Sequence, residues 1–298
     1  MPELPEVETI RIQLKQYLVG HMIEDVEVRL PKQISGEVQR VIGAKVQGVR
    51  RFGKGLVIDL DNSYSLTIHI KMTGQLVYRG PDLPKTTKLS QKVGGLPGKA
   101  THVIFKLKSQ KLNLKNTDKK SKVLNTQDAY LYYNDVRQFG WIKIVKTEDV
   151  FKLQFFKTLG PEFLRDLELK KFQEILKSKK TSIKPLVMDQ AYMAGVGNIY
   201  ANDSLYVAKI HPRRPANSLT EKESKDLFAA IEEVLKKGIK AGGSSEWAYV
   251  NALGEEGNYQ KTFLVYGKVG KKCERCGTII EKITLGGRGT FFCPACQI

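Results

Sequence analysis

The chain has 298 residues and carries 49 Lys and Arg against 31 Asp and Glu, which gives a formal net charge of +18. Its content of 41% hydrophobic and 27% charged residues excludes a disordered or collagen-like chain. The apolar runs are too short to span a bilayer, and the first residues lack the basic and apolar segments of a secretory signal. We therefore expect an intracellular protein with a polyanionic partner, nucleic acid in preference to an anionic membrane surface.

The first half of the sequence predicts one helix followed by many short strands. Apolar residues recur at helical spacing over residues 5–20, where Pro5 marks the start and Gly20 the end. The β-like runs, separated by turns rich in Gly, Asn, Pro and Asp, are residues 23–30, 56–60, 65–70, 76–78, 103–107, 130–133 and 141–145. This pattern predicts a β-sandwich or barrel-like domain over residues 1–149, with a Lys-rich, solvated insertion at about 80–127.

The second half is predicted to be helical. Candidate helices cover residues 167–178, 183–192, 198–207 and 220–238. The last of these begins with Thr220 and Glu223 at capping-box spacing and ends at Gly238. We predict a helical domain over residues 150–262 and a Cys-rich module over residues 263–298, in a fold of the α+β class.

All the cysteines lie in this last module, in two Cys-x-x-Cys pairs formed by Cys273 with Cys276 and by Cys293 with Cys296. A disulfide or reduced spare thiols would be the simpler alternatives. The repeated spacing favours a tetrahedral Zn²⁺ site, to which each pair supplies two thiolates. Because every cysteine is used, the sequence predicts one structural zinc with no open position for catalysis.

A phosphate site is indicated by one glycine-rich stretch, Gly195-Val196-Gly197-Asn198-Ile199-Tyr200. It departs from the dinucleotide-binding fingerprint because Tyr200 replaces the third glycine and because a helical segment precedes it. Glycines ahead of a helix can still hold a phosphate group with backbone N–H groups and the positive helix end. In a chain of this charge, that phosphate would belong to DNA or RNA.

The N-terminus carries a candidate nucleophile. Initiator Met is normally excised before Pro, which would leave Pro2 with a free secondary amine. An α-amine has a pKa of roughly 7.7–8.0 against roughly 10.4 for lysine, so far more of it is unprotonated at neutral pH. Attack of this amine on a sugar carbon yields an iminium that acts as an electron sink, with Glu3 beside it as general acid or base. Since Met-Pro-Glu also begins many inert proteins, these residues alone establish no activity.

Other motifs extend this pattern along the chain. They are Pro2-Glu3-Leu4-Pro5-Glu6-Val7-Glu8, Arg51-Phe52-Gly53-Lys54, His69-Ile70-Lys71-Met72-Thr73-Gly74, Asn134-Asp135-Val136-Arg137-Gln138-Phe139-Gly140, the run from Ile183-Lys184-Pro185 to Tyr200, and the cysteine module. In this order they resemble the formamidopyrimidine-DNA glycosylase family of base-excision repair. The resemblance extends from residue 2 to residue 297, with only residues 80–127 poorly matched. Leu4, Val7 and Glu8 resemble the formamidopyrimidine branch, whereas the endonuclease VIII branch usually has Gly at the position of Leu4.

The resemblance implies a β-sandwich with a flanking helix, a helix–two-turn–helix domain and a zinc-finger hairpin. It also implies catalytic roles. Pro2 would attack C1′ of an extruded damaged nucleotide, and Glu3 would protonate the sugar-ring oxygen. Lys54 would contact phosphate and donate a proton in β-elimination, while Arg288 would hold phosphates and support δ-elimination. The residues implied to contact DNA are His69, Met72, Arg137, Phe139, Lys179, Lys184 and Asn198; Met72, Arg137 and Phe139 would fill the space left by the extruded base.

Simpler roles remain open for some of these residues. Met72 and Phe139 could be core residues, although their turn-like surroundings favour exposure, and Lys54 could be a solvated surface lysine. Glu6 and Glu8 could serve only to stabilise the start of the first helix.

The sequence also departs from the family pattern in places that bear on the choice of lesion. Val136 and Gln138 replace the usual Pro and Arg of their loop, and the loop over residues 242–259, on which lesion capping depends, is acidic and divergent. Other departures are Phe52, Gly55 and Ala100, where Arg, an aromatic residue and His are common.

The resemblance implies a bifunctional DNA glycosylase/AP lyase that removes the oxidised purines 8-oxoguanine and formamidopyrimidines through a Schiff base on Pro2, followed by β,δ-elimination. Its partner would be double-stranded DNA with oxidised bases or abasic sites, bound by a monomer in the cytoplasm at the nucleoid. The alternatives are an endonuclease VIII-like glycosylase for oxidised pyrimidines and a non-catalytic binder of damaged DNA on the same scaffold. Retention of the Pro2 amine argues against a binder, since binding needs no nucleophile.

Overall fold

Two sheets and one helix form the N-terminal part of the structure, a computed structural model that describes residues 1–109 and 128–298. The elements are α1 (Leu4–Tyr17), β1 (His21–Val28), β2 (Ile34–Ser35), β3 (Val46–Phe52), β4 (Gly55–Leu60), β5 (Tyr64–His69), β6 (Gly74–Arg79), β7 (Thr101–Ser109), β8 (Asp128–Asp135) and β9 (Trp141–Lys146). One sheet has the strand order β1-β7-β8-β6 and the other the order β2-β9-β5-β4-β3. Neighbouring strands are antiparallel except for β2 and β9, which pair in parallel.

The two sheets and α1 share one apolar core. Its buried members include Val7, Ile10 and Leu14 from α1, Ile58 and Leu66 from the five-stranded sheet, and Phe105 and Leu131 from the four-stranded sheet. Burial of this apolar surface is the main force that holds the layers together. The predicted β-sandwich with a flanking helix is confirmed.

Two strands of these sheets, β2 and β3, are absent from the predicted runs, whereas β7 contains the predicted run 103–107. Strand β3 was not predicted, because Gln47, Gly48 and two arginines interrupt its apolar alternation; it forms an edge of the five-stranded sheet beside β4. Strand β7 lies between β1 and β8, so part of the predicted insertion at 80–127 belongs to the sheet itself. Residues 110–127 of that insertion lie outside the described residues.

The following part of the chain is helical, as predicted, and its helices are α2 (Gln154–Lys157), α3 (Leu169–Lys177), α4 (Ile183–Val187), α5 (Asn198–Val207) and α6 (Glu221–Lys240). The capping box of Thr220 and Glu223 is present at the start of α6. Helix α4 ends earlier than the predicted 183–192, because the Asp189 side chain accepts the N–H of Ala191 at 3.0 Å and supports a turn there.

The last module is a hairpin of β10 (Glu281–Leu285) and β11 (Arg288–Phe292). Its two-residue turn needs positive φ at both positions, and Gly286 and Gly287 supply φ values of 57° and 70°. The hairpin docks on α5, where the Asn202 side chain accepts the N–H of Phe291 at 2.7 Å. This contact fixes the turn and Arg288 relative to the helical part.

A buried ion network joins the sandwich to the helical part. Arg51 donates to both carboxylate oxygens of Glu162, at 2.7 and 2.6 Å, and to Glu8 of α1 at 2.7 Å. The side chain of Glu162 is 0% exposed and that of Arg51 is 8% exposed. Glu162 also accepts the N–H of Gly53 at 2.7 Å, so the turn between β3 and β4 is held from the helical side.

We expect Arg51→Met to lower the free energy of unfolding by about 3–5 kcal/mol, because it leaves the Glu162 carboxylate buried without its partner. The matched control is Arg50→Met, since Arg50 pairs with Asp59 on a more exposed surface and its loss should cost about 1 kcal/mol or less. Urea titration of both variants measures the difference. Equal losses would show that the buried network contributes no more than a surface ion pair.

Candidate active-site cleft and zinc centre

A cleft of about 710 Å³ opens where the sandwich, the helical part and the hairpin meet. Each of these parts supplies side chains to it. Of the residues predicted from the sequence, the lining includes Glu3, Lys54, Met72, Arg137, Asn198 and Arg288. Residues as far apart in sequence as Glu3 and Arg288 are therefore brought to one site.

The start of the chain is anchored beside this cleft through Glu3. Its carboxylate accepts the N–H of Ile199 at 2.9 Å and that of Tyr200 at 3.4 Å, at the N-terminus of α5. The positive end of the helix favours a carboxylate at this point. Gly197 makes the approach possible, because a Cβ there would lie 2.2 Å from the Glu3 carboxyl carbon. Glycine is needed here for space, not for an unusual φ.

Glu6 fixes the same segment from a second side. Its carboxylate accepts the N–H of Glu3 at 2.8 Å, the Tyr200 hydroxyl at 2.6 Å and the N–H of Ser244 at 2.7 Å. Burial, assisted by the charge of Glu3, raises the pKa of Glu6. Glu6 is thus more than a helix-terminus charge, because it links α1, α5 and the loop after α6. Pro2, just ahead of this anchor, is buried beneath Met1, which lies in the cleft.

Lys54 lies on the turn between β3 and β4 and is buried. Its ammonium donates to the carbonyl of Val196 at 3.0 Å. Burial lowers the pKa of Lys54 below its usual 10.5, and the nearby Arg288 acts in the same direction, whereas Glu3 and Glu6 oppose both. A solvated surface lysine, the simpler alternative, is excluded by this position.

Lys184 connects α4 to the hairpin. Its ammonium donates to Asn198 Oδ1 at 2.6 Å, to Thr290 Oγ1 at 2.8 Å and to the carbonyl of Gly289 at 3.2 Å. An ammonium has three hydrogens, so these acceptors use all of them. Burial lowers the pKa of Lys184 to about 7, and the charge of Arg288 contributes. The contact with Gly289 places the neighbouring Arg288 at the mouth of the cleft.

The predicted gap-filling side chains form an exposed group at the rim of the cleft. The Arg137 guanidinium lies 5.0 Å from the ring centre of Phe139, and its Nη1 lies 3.1 Å from Met72 Sδ. Met72 is 38% exposed and Phe139 is 56% exposed, which excludes the alternative that they are core residues. The loop that carries Arg137 and Phe139 is held by Asp135, which accepts the N–H of Gly140 at 2.7 Å.

Four predicted DNA-binding residues are not among those that line the cleft: Phe139 and Lys184, described above, and His69 and Lys179. His69 is buried with its ring 4.7 Å from that of Phe155, and its Nδ1 accepts the N–H of Lys71 at 2.9 Å. Burial lowers the pKa of His69 to about 3, so the ring is neutral. Lys179 is half-buried, and its ammonium donates to the Tyr192 hydroxyl at 2.6 Å.

Several side chains that line the cleft have no role predicted from the sequence, among them Thr73, Gln190 and Trp247. Trp247 is 69% exposed and belongs to the loop after α6, the segment in which capping was expected without a named residue. Gln190 has a structural task, since its amide accepts the N–H of Gly195 at 2.9 Å and donates to the carbonyl of Val196 at 2.9 Å. Such a hydrogen-bond role leaves no distinctive spacing in a sequence.

The four cysteine sulfurs form the predicted zinc centre. They all lie within 4.8 Å of one another, with 3.5 Å between Cys276 and Cys293 and 3.9 Å between Cys273 and Cys296. A tetrahedral site with Zn–S bonds of about 2.3 Å requires sulfurs about 3.8 Å apart, which these distances fit. The disulfide alternative is wrong, because all four cysteines are free. One structural Zn²⁺ would be held here, by the two cysteine pairs that precede and follow the hairpin carrying Arg288.

Three successive parts of the chain match domain models that occur together in one protein family. Residues 1–142 match the formamidopyrimidine-DNA glycosylase N-terminal domain, residues 159–248 match the H2TH domain of the same glycosylase, and residues 270–298 match the zinc finger found in FPG and IleRS.

Similar proteins cover the whole chain. The formamidopyrimidine-DNA glycosylase of Pelotomaculum thermopropionicum is 39% identical over 100% of this chain and 99% of its own. A structure of Lactococcus lactis Fpg in complex with DNA that contains an abasic site is 35% identical, with a TM-score of 0.81 and 99% of both chains covered. A complex of a mutant of the same protein with DNA that contains Fapy-dG gives the same values of identity, coverage and TM-score.

Among residues 1–109 and 128–298, none of the helices has the length and the hydropathy of a membrane-spanning segment.

We expect the purified protein to hold about one Zn²⁺ per chain, and Cys273→Ser to lose it, because three thiolates leave the tetrahedral set incomplete. The hairpin should then loosen, so trypsin should cut after Lys282 and Arg288 sooner than in the parent protein. Far-UV circular dichroism should stay nearly unchanged, since the sandwich and the helical part have their own cores. Full zinc content in this variant would contradict the assignment.

Proposed function

Since this chain belongs to the formamidopyrimidine-DNA glycosylase family, it is a DNA glycosylase of base-excision repair, and we propose the steps by which its cleft works on damaged DNA. The observation that carries the proposal is the convergence of the chain start, Lys54 and Arg288 in one cleft. Double-stranded DNA with an oxidised base or an abasic site is the partner. The protein works on it in the cytoplasm, at the nucleoid.

The first step begins with removal of Met1, which frees the Pro2 amine. Its lone pair forms a bond to C1′ of the extruded nucleotide while the bond from C1′ to the damaged base breaks. The Pro2 nitrogen loses its N–H proton, and the departing base anion takes up a proton and leaves as the neutral base. Glu3 serves as acid toward the sugar-ring oxygen, so the ring opens and an iminium links Pro2 to the sugar. The hydrogen bonds from α5 support this role because they hold the Glu3 carboxylate next to Pro2.

The second step breaks the DNA strand. The iminium draws electrons toward C1′, so a proton passes from C2′ to water, a double bond forms between C2′ and C3′, and the bond from C3′ to its phosphate breaks. We assign Lys54 to proton transfer in this β-elimination: a lowered pKa makes the ammonium a stronger acid than an ordinary lysine. Arg288 holds the flanking phosphate and supports the subsequent δ-elimination on the other side of the sugar.

DNA binding divides between exposed and buried side chains. Met72, Arg137 and Phe139 are free to enter the duplex and occupy the space of the extruded nucleotide. Lys184 has its three hydrogens in use, so we propose that it acts on phosphates indirectly, by positioning Asn198 and Arg288. Lys179 and His69 remain predicted DNA contacts, and both side chains are engaged in hydrogen bonds within the protein.

We expect the mature protein to give a covalent adduct with a duplex that contains 8-oxoguanine opposite cytosine when borohydride is present, because borohydride reduces the iminium to a stable amine. Mass spectrometry should map the adduct to Pro2. A protein with two residues added before Pro2 should give none and still bind the duplex, since its Pro2 nitrogen is an amide. The same tag at the C-terminus serves as the control.

The outcome also separates the alternatives. A stronger adduct with thymine glycol than with 8-oxoguanine would favour an endonuclease VIII-like enzyme for oxidised pyrimidines. Tight binding without any adduct, despite confirmed removal of Met1, would favour the non-catalytic binder.

We expect the rate of strand cleavage at a preformed abasic site to decrease as the pH rises, and to do so below pH 10.5, the usual pKa of lysine. Lys54 can donate a proton only while it is protonated, and its pKa is lowered. Raising the pH through its lowered pKa removes the proton and therefore the activity. In Lys54→Arg the guanidinium keeps its charge but does not release its proton, so cleavage should be slower at every pH and the alkaline fall should be absent. An unchanged pH profile of single-turnover cleavage in the variant would remove Lys54 from the proton transfer.

A further inference from the structure

The loop that carries Trp247 is tied to the sandwich by a short segment that fits the family pattern poorly. We define the cap loop as residues 244–257 and the brace as residues 89–96, which lie within the predicted insertion. Lys92 of the brace reaches both ends of the cap loop: its ammonium donates to the carbonyl of Ser245 and, at 2.7 Å, to the carboxylate of Glu256. The Lys92 side chain thus joins residues near the two ends of the cap loop to each other.

Further contacts strengthen the same connection. The Ser90 hydroxyl donates to Glu256 at 2.6 Å, and the Ser90 N–H donates to the carbonyl of Gly254 at 2.8 Å. The Gln75 amide, in β6, donates at once to the carbonyl of Lys92 at 3.0 Å and to that of Ala248 at 2.8 Å. The middle of the cap loop is therefore fixed to the brace through Gln75.

Apolar packing completes the attachment. Val93 of the brace, Val250 of the cap loop and Val77 of β6 form a small buried cluster with Leu96 beside it. Leu89 lies against Gly254, where it covers a turn with a φ of 81°. The cap loop is bound on its outer side by hydrogen bonds, an ion pair and apolar contact, all from residues 75–96.

The inner side of the cap loop faces the reacting centre. Trp247 and Ala248 line the large cleft, and Trp247 also lines the small space around Pro2 together with Met1 and Met72. A base still joined to the C1′ that Pro2 attacks must lie within one glycosidic bond of that carbon, and so within reach of Trp247. An indole face is well suited to stack on such a base.

We propose that the brace holds the cap loop ordered before DNA binds, so that Trp247 receives the extruded base, with Lys92 as the positioning residue. This inference rests on the proposed function and gives a task to part of the insertion. Its consequence is specific: the brace should matter while a base is attached to the sugar, and should matter little at an abasic site, where no base is present to be received.

The test compares two substrates and two changes of opposite charge. Lys92→Met and Glu256→Ala both break the brace, but the first lowers and the second raises the net charge. Each should slow single-turnover excision from an 8-oxoguanine duplex about three- to tenfold and leave cleavage of a preformed abasic site within about twofold. Lys88→Met, an exposed lysine in the same stretch, should leave both rates within about twofold, and Lys92→Arg should restore most of the excision rate.

A structural readout accompanies the rates. The chain has two Trp residues, so in a Trp141→Phe background the fluorescence anisotropy of Trp247 reports on the cap loop alone, and it should fall in Lys92→Met. Opposite effects of Lys92→Met and Glu256→Ala on excision would show that only charge toward DNA matters, which overturns the brace. Equal losses on both substrates, or unchanged excision and anisotropy, would overturn it as well. If the parent protein cleaves the abasic site but excises no base, the proposed glycosylase step fails and not the brace.

Discussion

The position of the chain start depends on one interaction, the seating of the Glu3 carboxylate on the N-terminus of α5. This contact crosses from the sandwich to the helical part, and it is strong because the acceptor is charged, the donors are backbone N–H groups at a positive helix end, and water is excluded. Glu6 and Tyr200 surround it, and Gly197 leaves room for it. If Glu3 were displaced, Pro2, the proposed nucleophile, would lose this link between its position and that of Lys54.

Buried charges of both signs lie in the cleft and directly beside it. Lys54 and Lys184 come from different parts of the chain, and each lies where burial disfavours the ammonium form. Glu3 offsets this cost for both lysines, whereas Arg288 adds to it. A phosphate entering between them would lower the cost of all three cations, so part of the free energy of DNA binding is set by charges held in place beforehand. The net positive charge of the whole chain attracts DNA toward the cleft. The charges in and beside the cleft then act on the phosphates of the bound DNA.

The sequence was most informative where chemistry limits spacing. The sequence alone identifies the cysteine pairs, the capping box of Thr220 and Glu223, and the motifs around Pro2, Lys54 and Arg137. It was least informative where a side chain acts through the fold. The Arg51–Glu162 network and the tasks of Gln75, Gln190 and Lys92 leave no periodic signal, because their partners are distant in sequence. Lys184 is the instructive case: the motif marked it as important, but only the structure shows that its hydrogens are all used within the protein.

Rigid and adaptable residues are separated in this cleft, and that separation has a consequence for how its specificity can change. The chain start, Lys54 and Lys184 are buried and tied to backbone atoms of other segments, so their positions are set by the fold. Met72, Arg137, Phe139 and Trp247 are exposed and lie on loops. In the proposed function they face the DNA and the extruded base, so a substitution among them alters which base is received, whereas the positions of Pro2 and Lys54 depend mainly on buried contacts. Lesion preference can therefore change while the chemistry is retained. The departures from the family pattern at residues 136–138 and 242–259 fit this separation, and the chain start follows the pattern, whereas Phe52 and Gly55 beside Lys54 depart from it as well.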